Sequence, residues 1–187
     1  MIHTTESDRL ILRELKPDDA QGIFELDSNA NVHLFLGNKP ISTLEQAQGV
    51  VEYIRQQYRK YGVGRLAVEE KESGRFIGWA GLKWMDEEIS GRKHYHDLGY
   101  RFIEECWGKG YATEAALMSL KLAFDQMNLD CVCAMADVKH GASNAVLSKI
   151  GMKNLKTIEF DGEPHHFYEI TKNQWLTSPL NNKEDLA

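Results

Sequence analysis

Phe102-Ile103-Glu104-Glu105-Cys106-Trp107-Gly108-Lys109-Gly110-Tyr111-Ala112-Thr113-Glu114 sets two glycines, one residue apart, between a β-like run and an amphipathic helical run. The first amide N–H groups of a helix have no intrahelical acceptor and point outward at the positive end of the dipole. Glycine lets that backbone approach a bulky anion with no Cβ in the way. Together they predict a pyrophosphate cradle over Gly108 to Thr113, with Lys109 adding charge at its rim. An isolated Gly-x-Gly is equally compatible with an ordinary tight turn, so context decides. A dinucleotide fingerprint needs a third glycine where Thr113 stands, and an early place in a parallel βαβ unit. A P-loop needs Gly-Lys-Ser/Thr, and here Lys109 is followed by Gly110. Both nucleotide folds fit poorly.

Downstream of the cradle, Ala116, Leu120, Ala123, Phe124 and Met127 fall at helical spacing to about Asn128. Cys131 to Val138 reads as a strand. Ser143 to Ile150 reads as a short helix that Ser143 can cap and Gly151 stops. Leu155 to Phe160 and His166 to Thr171 pair as a hairpin around Asp161-Gly162. Upstream, Asp97 to Ile103 is a strand, Met85 to Lys93 a loop, and Arg65 to Glu70 with Phe76 to Trp84 a hairpin. Ser42 and Glu45 have the spacing of a capping box for a helix that ends at Tyr61-Gly62. Asn29 to Pro40 is a loop, Pro17 opens a helix to about Leu26, and Leu10 to Arg13 is a short strand. The order predicts one α+β domain, residues 1–176, with a mixed, mostly antiparallel central sheet flanked by helices. Residues 177–187 are polar and read as a tail.

The 187 residues suffice for one sizeable core, and the 42% hydrophobic and 27% charged fractions are ordinary for a globular chain. The formal net charge of -6 and the lack of a basic stripe argue against nucleic acid as a partner. No apolar run approaches the roughly 20 residues of a bilayer span; the best candidate, Ala115 to Phe124, is broken by Lys121. Met1 to Thr5 lacks the apolar core of a signal peptide. The odd set Cys106, Cys131 and Cys133 points to reduced thiols and a cytoplasmic location. His94, His96, His165 and His166 show no recognised ligand spacing, so no metal is expected, although His94 and His96 would share a strand face.

Trp107, Gly110 and Ala112 occupy the three marked places of Gln/Arg-x-x-Gly-x-Gly/Ala, and the segment resembles the coenzyme A motif of the GNAT superfamily. The tryptophan, in Trp-Gly-Lys-Gly-Tyr-Ala-Thr-Glu-Ala, is similar to the RimJ/RimL-type branch. So are Asp8-Arg9-Leu10-Ile11-Leu12-Arg13, Phe76-Ile77-Gly78-Trp79-Ala80-Gly81-Leu82, Leu98-Gly99-Tyr100, Val146-Leu147-Ser148-Lys149-Ile150-Gly151-Met152 and the closing Tyr168 to Trp175. The resemblance covers about Arg9 to Trp175 in the correct order. It implies a GNAT fold and transfer of an acetyl group from acetyl-CoA to a primary amine by direct attack in a ternary complex. Phe102 and Ile103 would hydrogen-bond the pantetheine arm through their backbone. Gly108, Lys109, Gly110, Tyr111, Ala112 and Thr113 would cradle the pyrophosphate. His140, which stands where the family has a pantetheine-contacting Asn, and Ser143 would complete the cofactor site.

Acetyl transfer needs an unprotonated amine, stabilisation of the thioester oxyanion and a proton for the departing thiolate. Asp97, where related enzymes often carry an acid, is the candidate base, with adjacent His96 as the other group considered. The family's acid, a tyrosine after the second motif, is replaced by Leu147, which leaves Ser143 or a water. Cys106 has no His/Asn constellation for a covalent route. The resemblance implies an amine-bearing partner, a protein N-terminus as in the ribosomal-protein branch or a small molecule, and a monomer or homodimer. The missing tyrosine and His140 also fit a different class, a non-catalytic acyl-CoA-binding sensor or interaction module.

Overall fold

A computed structural model describes residues 4–89 and 91–181. Its centre is an eight-stranded sheet in the order β1-β2-β3-β4-β5-β6-β8-β7. The strands are β1 (Thr5–Glu6), β2 (Leu10–Arg13), β3 (Arg65–Glu70), β4 (Arg75–Met85), β5 (Tyr95–Phe102), β6 (Cys131–Asp137), β7 (Lys153–Phe160) and β8 (Glu163–Thr171). Every neighbouring pair is antiparallel except β5 and β6. This is the mixed, largely antiparallel α+β architecture expected.

Two helical layers cover the sheet. Helix α2 (Leu44–Tyr61) turns Ala47, Val51 and Ile54 inward at helical spacing, where they meet Ile23 of α1 (Ala20–Asp27) and Ala67 of β3. Its cap is Thr43, whose hydroxyl accepts from Gln46 N while the Gln46 side chain returns to the Thr43 N–H. The capping box thus sits one residue beyond the expected Ser42 and Glu45. The opposite face is covered by α3 (Tyr111–Lys121), which continues through one π-helical turn at Leu122–Gln126, and by α4 (Gly141–Lys149) and α5 (Lys172–Leu176). Leu120, Phe124, Leu147 and Trp175 from these helices meet Leu82, Leu98, Val132 and Ala134 of the sheet in the largest apolar cluster. Beyond α5, Leu180 folds back to pack on that cluster. The remaining residues of the expected tail, 182–187, lie outside the described residues.

Candidate active site

The one parallel junction opens the sheet. Strands β5 and β6 share a single rung, Asp97 to Cys133, whereas β5 pairs with β4 along its whole length and β6 with β8 likewise. Past that rung, Leu98–Phe102 and Ala134–Asp137 diverge. Ile103 N donates to Ile77 O at 3.0 Å. By strand alternation, the polar groups of Tyr100 and Phe102 then face the gap instead of β4. An extended ligand can enter such a gap as an added strand. Of the two residues expected here, Phe102 offers its N–H, and its carbonyl already accepts from Trp107 Nε1 at 2.8 Å. The Ile103 N–H is committed to Ile77, and Tyr100, which the motif reading passed over, fills the second place.

At the far end of β5 lies the glycine turn. Gly108 and Gly110 have φ of 73° and 84°, a region that only glycine enters without strain, and Gly110 caps α3 with no side chain of its own. Trp107 N donates to Glu104 O, and the next amide with a protein acceptor is that of Glu114, to Gly110 O. Among the described residues, the N–H groups from Gly108 to Thr113 are thus left for an anion at a helix N-terminus. Tyr111 contributes its backbone alone: its ring is buried, and its hydroxyl donates to Glu70 Oε1 at 2.5 Å. Arg9 braces the turn from β2's approach. It donates from Nη1 to Lys109 O at 3.0 Å and from Nε to Glu114 Oε2 at 2.8 Å, and it lies 4.6 Å over the Tyr111 ring. Ser7 Oγ donates to the other Glu114 oxygen at 2.6 Å. Arg9 and Glu114 lie 105 positions apart, so no local pattern in the sequence marks them as partners.

The second wall is the start of α4. Its N-cap is His140, and Ser143 lies within the first turn, so Ser143 is not the cap expected. Tyr100 donates its hydroxyl to Ser143 O at 3.1 Å and sits 3.2 Å from Ser143 Oγ. Burial pushes the Tyr100 phenol up to about 12. Asn144, absent from the expected site, donates to the carbonyls of Asp137 and His140 and accepts from Tyr168 OH, tying β6, α4 and β8 together. The His140 imidazole stacks on Phe35 at 4.4 Å between centroids, and burial lowers its pKa. Phe35 belongs to the α1–α2 loop, whose start is anchored near β5. Asn29 and Asn31 donate to Glu104, and Arg101 donates to Asp27 at 2.6 Å. That loop therefore spans from the end of β5 to the start of α4.

Asp97 is brought to the foot of the gap but is not free there. It is buried, with Oδ2 held at 2.5 Å by Arg65 Nη2, while Arg65 Nη1 donates to the carbonyls of Gly81 and Asp97. Burial pushes the Asp97 carboxyl up and Arg65 pulls it back. Gly99 is part of this arrangement, since a Cβ there would come within 2.6 Å of Arg65 Nη2. A carboxylate engaged in this way must give up an ion pair before it can take a proton. His96 is half-buried edge-on against Trp84 and its pKa is lowered by burial. His94 precedes β5 with a φ of 57° and stacks on the same Trp84, so the two histidines do not share a strand face. Among the described residues, no group of three His, Cys, Asp or Glu could hold a metal ion, and no helix is long and apolar enough to cross a membrane.

The family model described as Acetyltransferase (GNAT) domain matches residues 9–153. The chain belongs to the GNAT acetyltransferase family. It is similar to the uncharacterized N-acetyltransferase YoaA of Bacillus subtilis, at 29% identity over 82% of this chain and 84% of that protein. Among solved structures, this GNAT domain resembles the ribosomal-protein-S5-alanine acetyltransferase of Vibrio fischeri, with a TM-score of 0.72, 18% identity and coverage of 92% and 98% of the two chains. It also resembles the spermidine N-acetyltransferase of Vibrio cholerae in complex with CoA and spermine, with a TM-score of 0.72, 19% identity and coverage of 90% and 98%. At these identities the two structural likenesses show the fold. Family membership makes the chain an acetyl-CoA-dependent N-acetyltransferase. The inward strand gap and the glycine turn of this GNAT domain are chemically suited to that co-substrate: one offers backbone to an amide-bearing arm, the other N–H groups to a diphosphate.

Proposed function

We propose that this GNAT enzyme acetylates a primary amine, either the α-amine of a protein N-terminus, as in the RimJ/RimL-type branch, or a small-molecule amine. The observation that carries the reading is the single-rung junction of β5 and β6 leading to the unpaired amides of Gly108 to Thr113. In this reading those amides hold the diphosphate, and Tyr100 and Phe102 orient the arm. The proton that the attacking amine loses passes through the Ser143 hydroxyl, next to the protonated Tyr100 phenol, to the departing thiolate, so that Ser143 ends the step as a hydroxyl. Asp97 acts by position: paired with Arg65, it fixes β5 against β4 at the foot of the gap. The ribosomal and spermidine acetyltransferases among the structural neighbours support amines as the acceptor class. The free thiols of Cys106, Cys131 and Cys133 support a cytoplasmic setting.

The test is an acceptor panel of N-terminal peptides, polyamines, amino acids and aminoglycosides, scored by thiol release and by the mass of the acetylated product. The expected result is at least one amine that releases coenzyme A with stoichiometric acetylation. Coenzyme A binding without release by any amine would favour a non-catalytic acyl-CoA sensor instead.

A further inference from the structure

Strand β6 carries two free thiols, Cys131 and Cys133, two residues apart, so both side chains project from the same face. It is not the face that α3 and α4 cover. Val132, Ala134 and Ala136 join the cluster under those helices, whereas Cys133 packs with Met85, Tyr95 and Phe167 in a separate one. Cys133 is fully buried, and Cys131, at the start of the strand, is half-buried.

A cation stands over the pair. Arg92 belongs to the β4–β5 connection, where its backbone exchanges hydrogen bonds with Ile89 at 2.8 and 3.0 Å, and Ile89 packs in the same cluster as Cys133. Arg92 Nη1 lies 2.9 Å from Cys133 Sγ and also donates to the carboxylate of Glu169, the cross-strand neighbour of Cys133 on β8. The Arg92 side chain is 37% exposed, so the group opens to solvent on that side. A guanidinium here favours one negative charge on the two sulfurs. The Cys133 thiol is hydrogen-bonded to Cys131 and keeps its proton, and the charge settles on Cys131. That hydrogen bond lowers the Cys131 pKa to about 7; Arg92 helps, while burial, Glu169 and Asp130 oppose it. Cys106 is also half-buried, but there burial dominates and pushes the thiol up.

A part-exposed thiolate at neutral pH, with a donor and a cation behind it, is the kind of sulfur that attacks disulfides. We propose that Cys131 is a site of reversible S-thiolation by small-molecule disulfides, with Cys133 as its hydrogen-bond donor and Arg92 as the neighbouring cation. In the step, the Cys131 sulfur bonds to one sulfur of R–S–S–R as the old S–S bond breaks. The electron pair of that bond leaves on the second sulfur as R–S⁻, which takes a proton from water. A free thiol reverses the change by attacking the mixed disulfide. Cys133 is poorly placed to displace the adduct. At about 3.3 Å per residue, the two Cα atoms lie roughly 6.6 Å apart, at the upper end of the range of about 4.4–6.8 Å that a disulfide spans.

The test treats the full chain with glutathione disulfide at pH 7.5 and locates the adduct by peptide mass spectrometry. The adduct is expected on Cys131 at least about tenfold faster than on Cys106, and dithiothreitol should remove it. Iodoacetamide labelling of Cys131, followed against pH, should have its midpoint near 7. Cys133→Ala, checked for folding by circular dichroism, should slow that labelling at pH 7 by about fivefold or more. The parent chain alone decides the matter if that variant misfolds. Equal or faster reaction at Cys106, a Cys131 midpoint at about 8.5 as for an ordinary thiol, or an internal Cys131–Cys133 disulfide as the main product would each overturn the proposal.

Discussion

Arg9 and Glu114, 105 positions apart in sequence, form a two-point contact in which Arg9 Nε and Nη2 both bond Glu114 Oε2, at 2.8 and 2.5 Å. The same guanidinium holds the Lys109 carbonyl, so the start of the chain braces the glycine turn from outside. Glu114 also lies in the first turn of α3, where negative charge favours the helix dipole.

Arg9→Ala is therefore expected to loosen the turn more than the fold. The Arg9 side chain is 47% exposed, and an exposed pair contributes about 0–1 kcal/mol to stability. The KM for acetyl-CoA should rise about five- to tenfold while kcat changes little, and steady-state kinetics with Tm measured alongside will check this.

Gly110→Ala should cost roughly 1–2 kcal/mol from backbone strain alone, because φ is 84° and the added Cβ would meet Arg9 Nη2 only at 3.5 Å. Gly110→Glu adds a negative charge where an anion must approach, and coenzyme A binding should weaken by at least about a hundredfold. Calorimetry on both variants, with circular dichroism to establish folding, decides the matter. Undiminished affinity in Gly110→Glu would refute the cradle.

Asp97→Asn leaves the Arg65 charge buried without its partner, so stability should fall by about 3–5 kcal/mol. The double change Asp97→Leu with Arg65→Met should recover much of that. If Asp97 only positions β5, turnover per folded molecule in Asp97→Asn stays within about tenfold of the parent, whereas loss of a general base is typically worth about 10²–10⁴-fold. A loss in that higher range, with the acidic limb of the pH profile gone, would restore Asp97 as the base.

Order and type of most elements were legible in the chain because the Gly-x-Gly turn, the apolar periodicities and the Asp161-Gly162 hairpin are local signals, whereas β1 and α5, two and five residues long, are too short to show a period. Boundaries were less so. Thr43 and Gln46 displaced Ser42 and Glu45 as the α2 cap because both pairs satisfy the same spacing, and α4 began at Gly141, which placed Ser143 inside it. The roles of Asp97, Arg9 and Glu104 were hidden for a different reason. Each is decided by a partner far along the chain, Arg65, Glu114 and the Asn29–Asn31 loop respectively, and periodicity carries no information about such pairs.

Tyr100→Phe and Ser143→Ala should each lower kcat by about tenfold or more and leave coenzyme A affinity within about twofold, if the two hydroxyls handle the thiolate's proton. The Tyr100 phenol, pushed up to about 12, keeps its proton at every working pH, so the alkaline limb of the rate profile should be unchanged by Tyr100→Phe. Pre-steady-state release of thiol in the two variants is the measurement to make.

His33 gives stability a pH dependence. Its ring is buried, and burial, aided by Arg101 and opposed by Asp27, lowers its pKa below the ordinary 6.5. The Asp27 carboxylate is 3.6 Å from Nε2, beyond hydrogen-bond reach. The unfolded chain then binds the proton first, so His33's contribution is intact above about pH 6.5 and is lost as pH falls through its lower folded value. Denaturant titrations between pH 7.5 and 5 should show a steeper acid decline for the parent than for His33→Phe.

The Asp97–Cys133 rung has a last implication. Where a sheet ordinarily ends, unpaired backbone is turned toward solvent and invites other chains to add on. Here the gap-facing backbone of Tyr100 and Phe102 is in the interior of the sheet, on a strand that stands between β4 and β6. The fold thereby keeps a border strand's readiness to accept an extended partner at a place inside the sheet.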